Sequence, residues 1–353
     1  MKKPSKLNKG DKIAIVSLSN GLLGMPFCKH ELDLGIKRLK EMGLEPVIMP
    51  NAAKDMEYLE KHPEKRAEDL KAAFKDKEIK AIINAIGGED TYKTIPYLME
   101  DDEFKEIIKE NPKIFMGFSD TTNNHLMLNK LGLSTFYGPC FLIDIAELDK
   151  EMLPYTKEAF NSLFENKSQL EIKPSPVWYK DRVNYSEEQL NIPREQVEET
   201  HNFETIKGTG IIEGKLYGGC IEILYDAMYG KSSEIYKKYD ILPKIEEWKE
   251  KILFIETSDN KISPEELKKI LIKMKEDKIL ENVKGILVGK PTDEIYYDEY
   301  KNIYKEVLKD IQTPILYNIN FGHSVPRCIL PYDAITEIDF DNKTITIKES
   351  YFK

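Results

Sequence analysis

The sequence predicts an α/β protein built from two domains, and three observations lead to this prediction. At 353 residues the chain is longer than one compact core usually accommodates. Apolar strand-like runs alternate with helical periodicity in both halves, which is typical of parallel sheets covered by helices. A polar, proline-containing stretch separates the halves. We therefore expect an N-terminal domain over 1–165, a connecting loop or flap over 166–208 and a C-terminal domain over 209–353.

The N-terminal half predicts a parallel sheet. An apolar strand over 12–18 is followed by Leu32, Ile36 and Leu39, whose spacing gives one helix face that ends at Gly43. The pattern then repeats, with strands at 46–49 and 79–86 and helices at 65–74 and 91–99. Ligands bind such sheets beyond the carboxyl ends of the strands. We therefore expect a pocket rim formed by the loops 17–21, 87–90 and 119–122.

The C-terminal half predicts a second alternating unit. Ser263 precedes Pro264 and Glu266, which together are typical of a capped helix start. The predicted strands are 209–217, 252–255, 283–288 and 315–318, the helices are 220–228, 267–274 and 297–311, and a hairpin over 335–347 ends the pattern.

The amino-acid composition argues against several classes of function. A formal net charge of -10 argues against general nucleic-acid binding, and no apolar run approaches the roughly 20 residues that cross a bilayer. The four cysteines are scattered, without the spacing of a zinc site or the density of a disulfide scaffold. With no export signal at the start of the sequence, we expect a cytoplasmic protein without membrane or nucleic-acid partners.

Residues 113–122 carry the most informative motif. An apolar strand runs through Gly117 to Ser119, and Asp120 and Thr122 begin a helix-forming segment. This order is typical of a nucleophile elbow, which presents a serine hydroxyl above a sheet edge with backbone N–H groups beside it. Thr121 stands where such elbows usually have a second glycine. On this segment alone, an ordinary strand-to-helix turn with a capping serine is an equal alternative.

A serine nucleophile needs a base and an orienting acid. Among five histidines, His323 follows an apolar strand beside a glycine, whereas His125 lies on the helix after the elbow. Glu256 ends a buried strand, and Glu222 competes from a predicted helix. We therefore expect Ser119, Glu256 and His323 to form the catalytic group.

These residues also carry a family resemblance. The motifs around Gly87-Gly88, Gly117 to Thr122, Gly218-Gly219, Ile252 to Glu256, Gly285 to Lys290 and Gly322 to Pro326 occur in order over nearly the whole chain. In this they resemble the LD-carboxypeptidase family of serine peptidases, and most closely its branch of microcin C self-immunity proteins. The resemblance implies a Rossmann-like N-terminal domain, a second α/β domain and a triad divided between them.

The resemblance implies further site residues and partners. Backbone N–H groups near Gly88 and Asp120 are expected to form the oxyanion hole, and Trp178 in the connection is expected to contact a nucleotide-like group. The family implies a homodimer that uses neither metal nor another cofactor. The expected substrate is a peptidyl or aminoacyl nucleotide, and a murein tetrapeptide is the alternative. Cys220 stands where relatives often have asparagine, which leaves substrate details open.

Two other interpretations of the sequence remain open. A cysteine hydrolase could use Cys220, because a helix start after Gly218-Gly219 can lower the pKa of a thiol. A two-domain α/β protein can also close on a small ligand without catalysing a reaction.

Overall fold

A computed structural model describes residues 1–353, and it contains two main sheets rich in parallel strands. The strands are β1 (Lys12–Val16), β2 (Glu45–Ile48), β3 (Ile79–Asn84), β4 (Ile114–Gly117), β5 (Phe136–Tyr137), β6 (Leu170–Ile172), β7 (Val177–Tyr179), β8 (Gln196–Glu198), β9 (Glu204–Lys207), β10 (Ile211–Cys220), β11 (Lys251–Glu256), β12 (Gly285–Gly289), β13 (Ile315–Ile319), β14 (Leu330–Pro331), β15 (Ile335–Asp339) and β16 (Thr344–Ile347). This confirms the predicted α/β class.

Helices connect the parallel strands. They are α1 (Lys29–Glu41), α2 (Met56–Lys61), α3 (Pro63–Lys75), α4 (Ile95–Met99), α5 (Asp102–Glu110), α6 (Thr122–Lys130), α7 (Pro154–Asn161), α8 (Ile221–Met228), α9 (Ser233–Lys238), α10 (Pro264–Glu276), α11 (Ile279–Asn282) and α12 (Tyr297–Val307). The predicted start of α10 is confirmed, because Ser263 and Glu266 form a reciprocal capping box. No helix combines the length and the apolar character that a membrane crossing demands.

The first sheet has the strand order β14-β5-β4-β3-β1-β2. Strands β1 to β5 pair in parallel, whereas β14 comes from the far end of the chain and pairs antiparallel with β5. The second sheet has the order β6-β16-β15-β10-β11-β12-β13-β9, with a parallel centre from β10 to β13. One continuous cluster of buried apolar side chains includes strands of both sheets. The two halves therefore share a core.

The polar connection has more regular structure than the sequence predicts. Strands β6 and β9 form the two edges of the second sheet, and β7 pairs with β8 as a separate small ribbon. Each of these strands has only three or four residues. A segment this short cannot display a reliable alternation of apolar and polar residues, which is why the sequence predicts an irregular loop there.

A buried ion cluster fixes the connection to the N-terminal half. The carboxylate of Glu147 accepts hydrogen bonds from Arg182 (2.6 Å) and from Arg194 (2.6 Å), and all three side chains are almost fully buried. Burial by itself would raise the pKa of Glu147, but the charges of Arg194 and Arg182 lower it below the ordinary glutamate value. The connection is thus held in one position against the body of the protein.

Candidate active site

Ser119 lies directly after β4, at the carboxyl edge of the first sheet. Its φ is 62°, a left-handed conformation that is rare for a residue other than glycine and is characteristic of functional turns. Gly87 allows the close approach of the neighbouring loop, since a Cβ atom there would lie 2.9 Å from Ser119 Oγ. Thr121 fits the position of the usual glycine because it is buried and accepts a hydrogen bond from Asn84. The sharp turn leaves the serine hydroxyl facing the cavity.

His323 and Glu256 come from the second sheet and meet Ser119 at this edge. Ser119 Oγ lies 3.1 Å from His323 Nε2, and His323 Nδ1 lies 2.8 Å from Glu256 Oε2. A carboxylate only accepts hydrogen bonds, so we assign the proton of neutral His323 to Nδ1, which leaves Nε2 free to accept the serine proton. Burial lowers the pKa of His323, but the charge and hydrogen bond of Glu256 outweigh it and raise this pKa above the ordinary histidine value.

A tyrosine links Glu256 to Ser119. The hydroxyl of Tyr137, on β5, donates to Glu256 Oε1 at 2.6 Å and accepts the backbone N–H of Ser119 at 3.1 Å. Burial and the neighbouring charge of Glu256 raise the pKa of Tyr137 well above the ordinary tyrosine value, so the phenol keeps its proton. Both oxygens of Glu256 are therefore occupied. Sequence reasoning missed Tyr137, because its position next to Glu256 depends on how the two sheets pack.

The loops around Ser119 leave two backbone N–H groups free. Neither Gly88 nor Asp120 donates its backbone N–H to another protein group, and both residues line the neighbourhood of the serine. The side chain of Asp120 instead holds the surrounding loops, accepting hydrogen bonds from Ser19 (2.6 Å) and from the backbone of Thr91 (2.9 Å). Unpaired backbone N–H groups of this kind are what an oxyanion requires, and the role of these two residues in binding one stays a prediction.

A cavity of about 1180 Å³ opens in front of Ser119 and His323. Its wall contains eight carboxylate side chains but only three from lysine or arginine. Arg327 is one of the three, and it is already paired with Asp144 at 2.7 Å. Two of the carboxylates are paired as well, Asp90 with Arg66 and Asp181 with Arg194, so the wall keeps a smaller excess of carboxylates over cations.

Trp178 does not line this cavity, and its contact with a nucleotide-like group stays a prediction. Its side chain on β7 is 6% exposed, and the ammonium of Lys290 lies 5.1 Å from the ring centroid. Lys290 is itself buried and paired with Glu199. The tryptophan therefore anchors the connection internally, because its large apolar ring gains more from burial against this ammonium than from exposure. Tyr185, farther along the connection, does line the cavity.

The residues that could have replaced a member of the predicted catalytic group are engaged elsewhere or have an unsuitable pKa. Glu222 accepts hydrogen bonds from Ser258 and makes none with His323. Cys220 lines the cavity, but burial and the charge of Glu222 raise the pKa of its thiol well above the ordinary value, which opposes a thiolate nucleophile. His125 is fully buried between Thr135 and the carbonyl of Gly117, and burial lowers its pKa to about 3. It supports the elbow as a neutral structural residue.

Two sequence models of one protein family match the chain. The LD-carboxypeptidase N-terminal domain matches residues 13–138, and the LD-carboxypeptidase C-terminal domain matches residues 213–338. The first match contains the serine elbow, and the second contains the strand and loop that carry Glu256 and His323.

Two proteins with different described functions are similar to this chain in sequence. The Microcin C7 self-immunity protein MccF of Escherichia coli is 27% identical over 329 residues, which cover 92% of this chain and 89% of MccF. A protein of Bacillus subtilis (strain 168) described as "Probable murein peptide carboxypeptidase" is 29% identical over 353 residues, which cover 98% of this chain and 94% of that protein.

Solved structures agree with the fold. An MccF-like protein from Streptococcus pneumoniae in complex with AMP has a TM-score of 0.89 and 46% identity, covering 95% of this chain and 98% of that chain. MccF in complex with aspartyl sulfamoyl adenosine has a TM-score of 0.84 and 26% identity, and the match covers both chains completely.

Proposed function

The chain belongs to the LD-carboxypeptidase family of peptidases, and we propose that it hydrolyses an amide bond of a peptidyl or aminoacyl nucleotide through Ser119, His323 and Glu256. The observation that carries this proposal is the continuous hydrogen-bonded line from Glu256 through His323 to Ser119 Oγ. Membership of a peptidase family argues against a role as a binding protein without catalysis.

The proposed reaction has two stages. His323 Nε2 takes the proton of Ser119 as Oγ attacks the carbonyl carbon, and the carbonyl electron pair moves onto the oxygen beside the N–H groups of Gly88 and Asp120. When the tetrahedral intermediate collapses, the C–N bond breaks and His323 gives its proton to the leaving nitrogen. A water molecule, deprotonated by His323, then attacks the acyl-enzyme and releases the acid and Ser119.

Two observations support a nucleotide substrate: the ligands bound in similar solved structures, and the size of the cavity. The similar structures from Streptococcus pneumoniae and of MccF are complexes with AMP and with aspartyl sulfamoyl adenosine. A cavity of about 1180 Å³ is large enough for a ligand of this size, and Tyr185 supplies an aromatic side chain in its wall. In this proposal Tyr185 takes the role that the sequence assigned to Trp178.

A murein tetrapeptide is the second candidate. The Bacillus subtilis relative is described as a murein peptide carboxypeptidase, and its match covers nearly the whole chain. The excess of carboxylates in the cavity wall also favours an amine-bearing peptide over an anionic nucleotide. Both candidates use the same three catalytic residues and differ in the leaving group.

The test is to incubate the purified protein with aspartyl sulfamoyl adenosine and, separately, with a murein tetrapeptide, and to follow products by mass spectrometry. Ser119→Ala is the control, and we expect it to lose turnover while it retains ligand binding in calorimetry. Release of aspartate alone would support the nucleotide substrate, and release of terminal D-alanine alone would support the murein substrate. Turnover that survives in Ser119→Ala would contradict the proposed nucleophile.

A further inference from the structure

We propose that Glu31 forms a subsite that binds an amine group of the substrate within the same cavity, an inference that rests on the proposed function. The ligand chemistry is an N–H donor on a primary amine. Two sources supply it: the exocyclic amine of a nucleobase, or the side-chain ammonium of a diamino acid in a peptide.

The first reason is that Glu31 is a buried carboxyl without a cationic partner. It lies on the first turn of α1, is only 4% exposed and lines the cavity. No lysine, arginine or histidine lies within ion-pair distance of it, and its only hydrogen-bonding neighbour is the thiol of Cys28. A buried carboxyl is costly to keep in a protein wall unless something pairs with it.

The second reason is the electrostatic environment. Burial raises the pKa of Glu31, the hydrogen bond with the Cys28 thiol opposes this effect and the charge of Glu147 adds to it, so that the pKa lies at about 7. Glu147 pairs with Arg182 and Arg194, and neither arginine forms an ion pair with Glu31. A ligand amine would supply the missing hydrogen-bond donor.

The third reason is the surrounding surface. The carbonyl of Tyr185 lies 3.0 Å from a ring nitrogen of His30, the residue before Glu31, and Tyr185 lines the cavity together with Phe27. A cavity wall that holds aromatic side chains as well as this carboxyl suits a ligand with a flat or aliphatic body that ends in an amine. The excess of carboxylates in the rest of the cavity wall favours the same chemistry.

The experiment compares ligands that differ only in the amine. Calorimetry on Ser119→Ala measures binding of aspartyl sulfamoyl adenosine against its purine riboside analogue, in which a hydrogen atom replaces the exocyclic amine. A second pair is a murein tetrapeptide with diaminopimelate against one with 2-aminopimelate, which lacks the second amine. We expect the amine compound of one pair to bind at least about 10-fold more tightly, and the pair that shows the preference identifies the source.

Variants of Glu31 test whether this residue causes the tighter binding of the amine compound. In Ser119→Ala/Glu31→Gln and Ser119→Ala/Glu31→Met we expect the preference to fall to within about twofold, whereas Glu60→Gln, which changes an exposed carboxylate of the same cavity, should leave it intact. Circular dichroism shows whether each variant is folded. The ligand comparison within Ser119→Ala needs no change at Glu31, so it decides the question even if the Glu31 variants fail to fold.

The outcomes separate this inference from the proposed function. Equal binding of the amine and amine-free compounds in both pairs would overturn the subsite, and turnover by the unmodified protein would leave the proposed function standing. A preference that persists in both Glu31 variants would also overturn it. Absence of both binding and turnover would overturn the subsite and the proposed function together.

Discussion

At the scale of single residues, Glu256 is the best-positioned group of the site. One carboxylate oxygen accepts from His323 and the other from Tyr137, so neither can rotate freely. The backbone of the end of β12 and of the turn after β13 encloses it, because Cβ atoms at Gly289 and Gly322 would lie 2.6 Å and 2.2 Å from its side-chain carbons. A carboxylate fixed in this way needs no reorganisation when His323 becomes charged during the reaction.

The first prediction concerns pH. His323 must be neutral to accept the serine proton, and Glu256 raises its pKa, so kcat/KM should fall as the pH drops through a value above 6.5. Glu256→Gln removes the charge that raises this pKa but keeps the burial that lowers it. We expect the acidic limb to move to lower pH while kcat falls by on the order of 10³–10⁴. A limb that stays in place would contradict the assignment of His323 as the base.

The second prediction concerns Tyr137→Phe, which removes one hydroxyl between Glu256 and Ser119. We expect kcat to fall roughly 10-fold to 100-fold with KM nearly unchanged, because a hydrogen bond to a charged group is lost within the catalytic machinery. Tyr217→Phe is the matched control, since Tyr217 is also buried but its hydroxyl has no hydrogen-bond partner. Equal loss of activity in both variants would indicate a general packing effect and argue against a positioning role.

At the scale of elements, strand ends bring the site together. Ser119 follows β4, Glu256 ends β11, and His323 follows β13 after a short loop. Parallel strands place their carboxyl ends at one edge, and the ligands of such sheets bind there. The turn after β13 brings His323 back toward Glu256, so that its backbone N–H also donates to Glu256 at 3.2 Å.

The third prediction tests that turn with a pair of glycines. Gly322 has a φ of 72°, and a Cβ atom there would lie 2.2 Å from Glu256 Cγ. Gly210 has a similar φ of 77° but open space around it. Both Gly→Ala variants carry a similar backbone strain of about 1–2 kcal/mol. We expect only Gly322→Ala to lose most activity, measured as kcat on folded protein, because only there must Glu256 move.

At the scale of the whole molecule, the two halves are interlocked. Strand β14 comes from the C-terminal half yet completes the first sheet beside β5, and the backbone N–H of Lys353 donates to the carbonyl of Pro4 at 3.0 Å. Ser119 belongs to one sheet, and Glu256 and His323 belong to the other. Catalysis by this group therefore depends on the packing of both halves, and the predicted boundaries at 165 and 208 remain predictions.

The fourth prediction concerns assembly. The family resemblance implies a homodimer, so light scattering of purified protein should give a mass near twice the 40.9 kDa of one chain. The measurement is made over a tenfold range of protein concentration. A mass that stays at that of one chain throughout this range would contradict the dimer.

Much of the site was accessible to sequence reasoning. Three local patterns each mark the end of one strand: Gly117 before Ser119, an acid at the end of an apolar run, and a histidine beside a glycine. The connection was harder, because strands of three or four residues are too short for their periodicity to be detected. Trp178 shows a further limit of sequence-based prediction. The sequence places this tryptophan in a polar segment, but it does not indicate that the side chain packs against the buried Lys290.

The sequence by itself determined the α/β class, the alternation of strands and helices, and the three residues expected to act together, because those properties follow from local periodicity and turn chemistry. Only the tertiary structure decided which groups contact one another across the two sheets. Tyr137 stands 119 positions before Glu256 in the chain, and Glu147 pairs with Arg182 and Arg194 from the distant connection. Such contacts depend on packing between distant segments, and no local pattern encodes them.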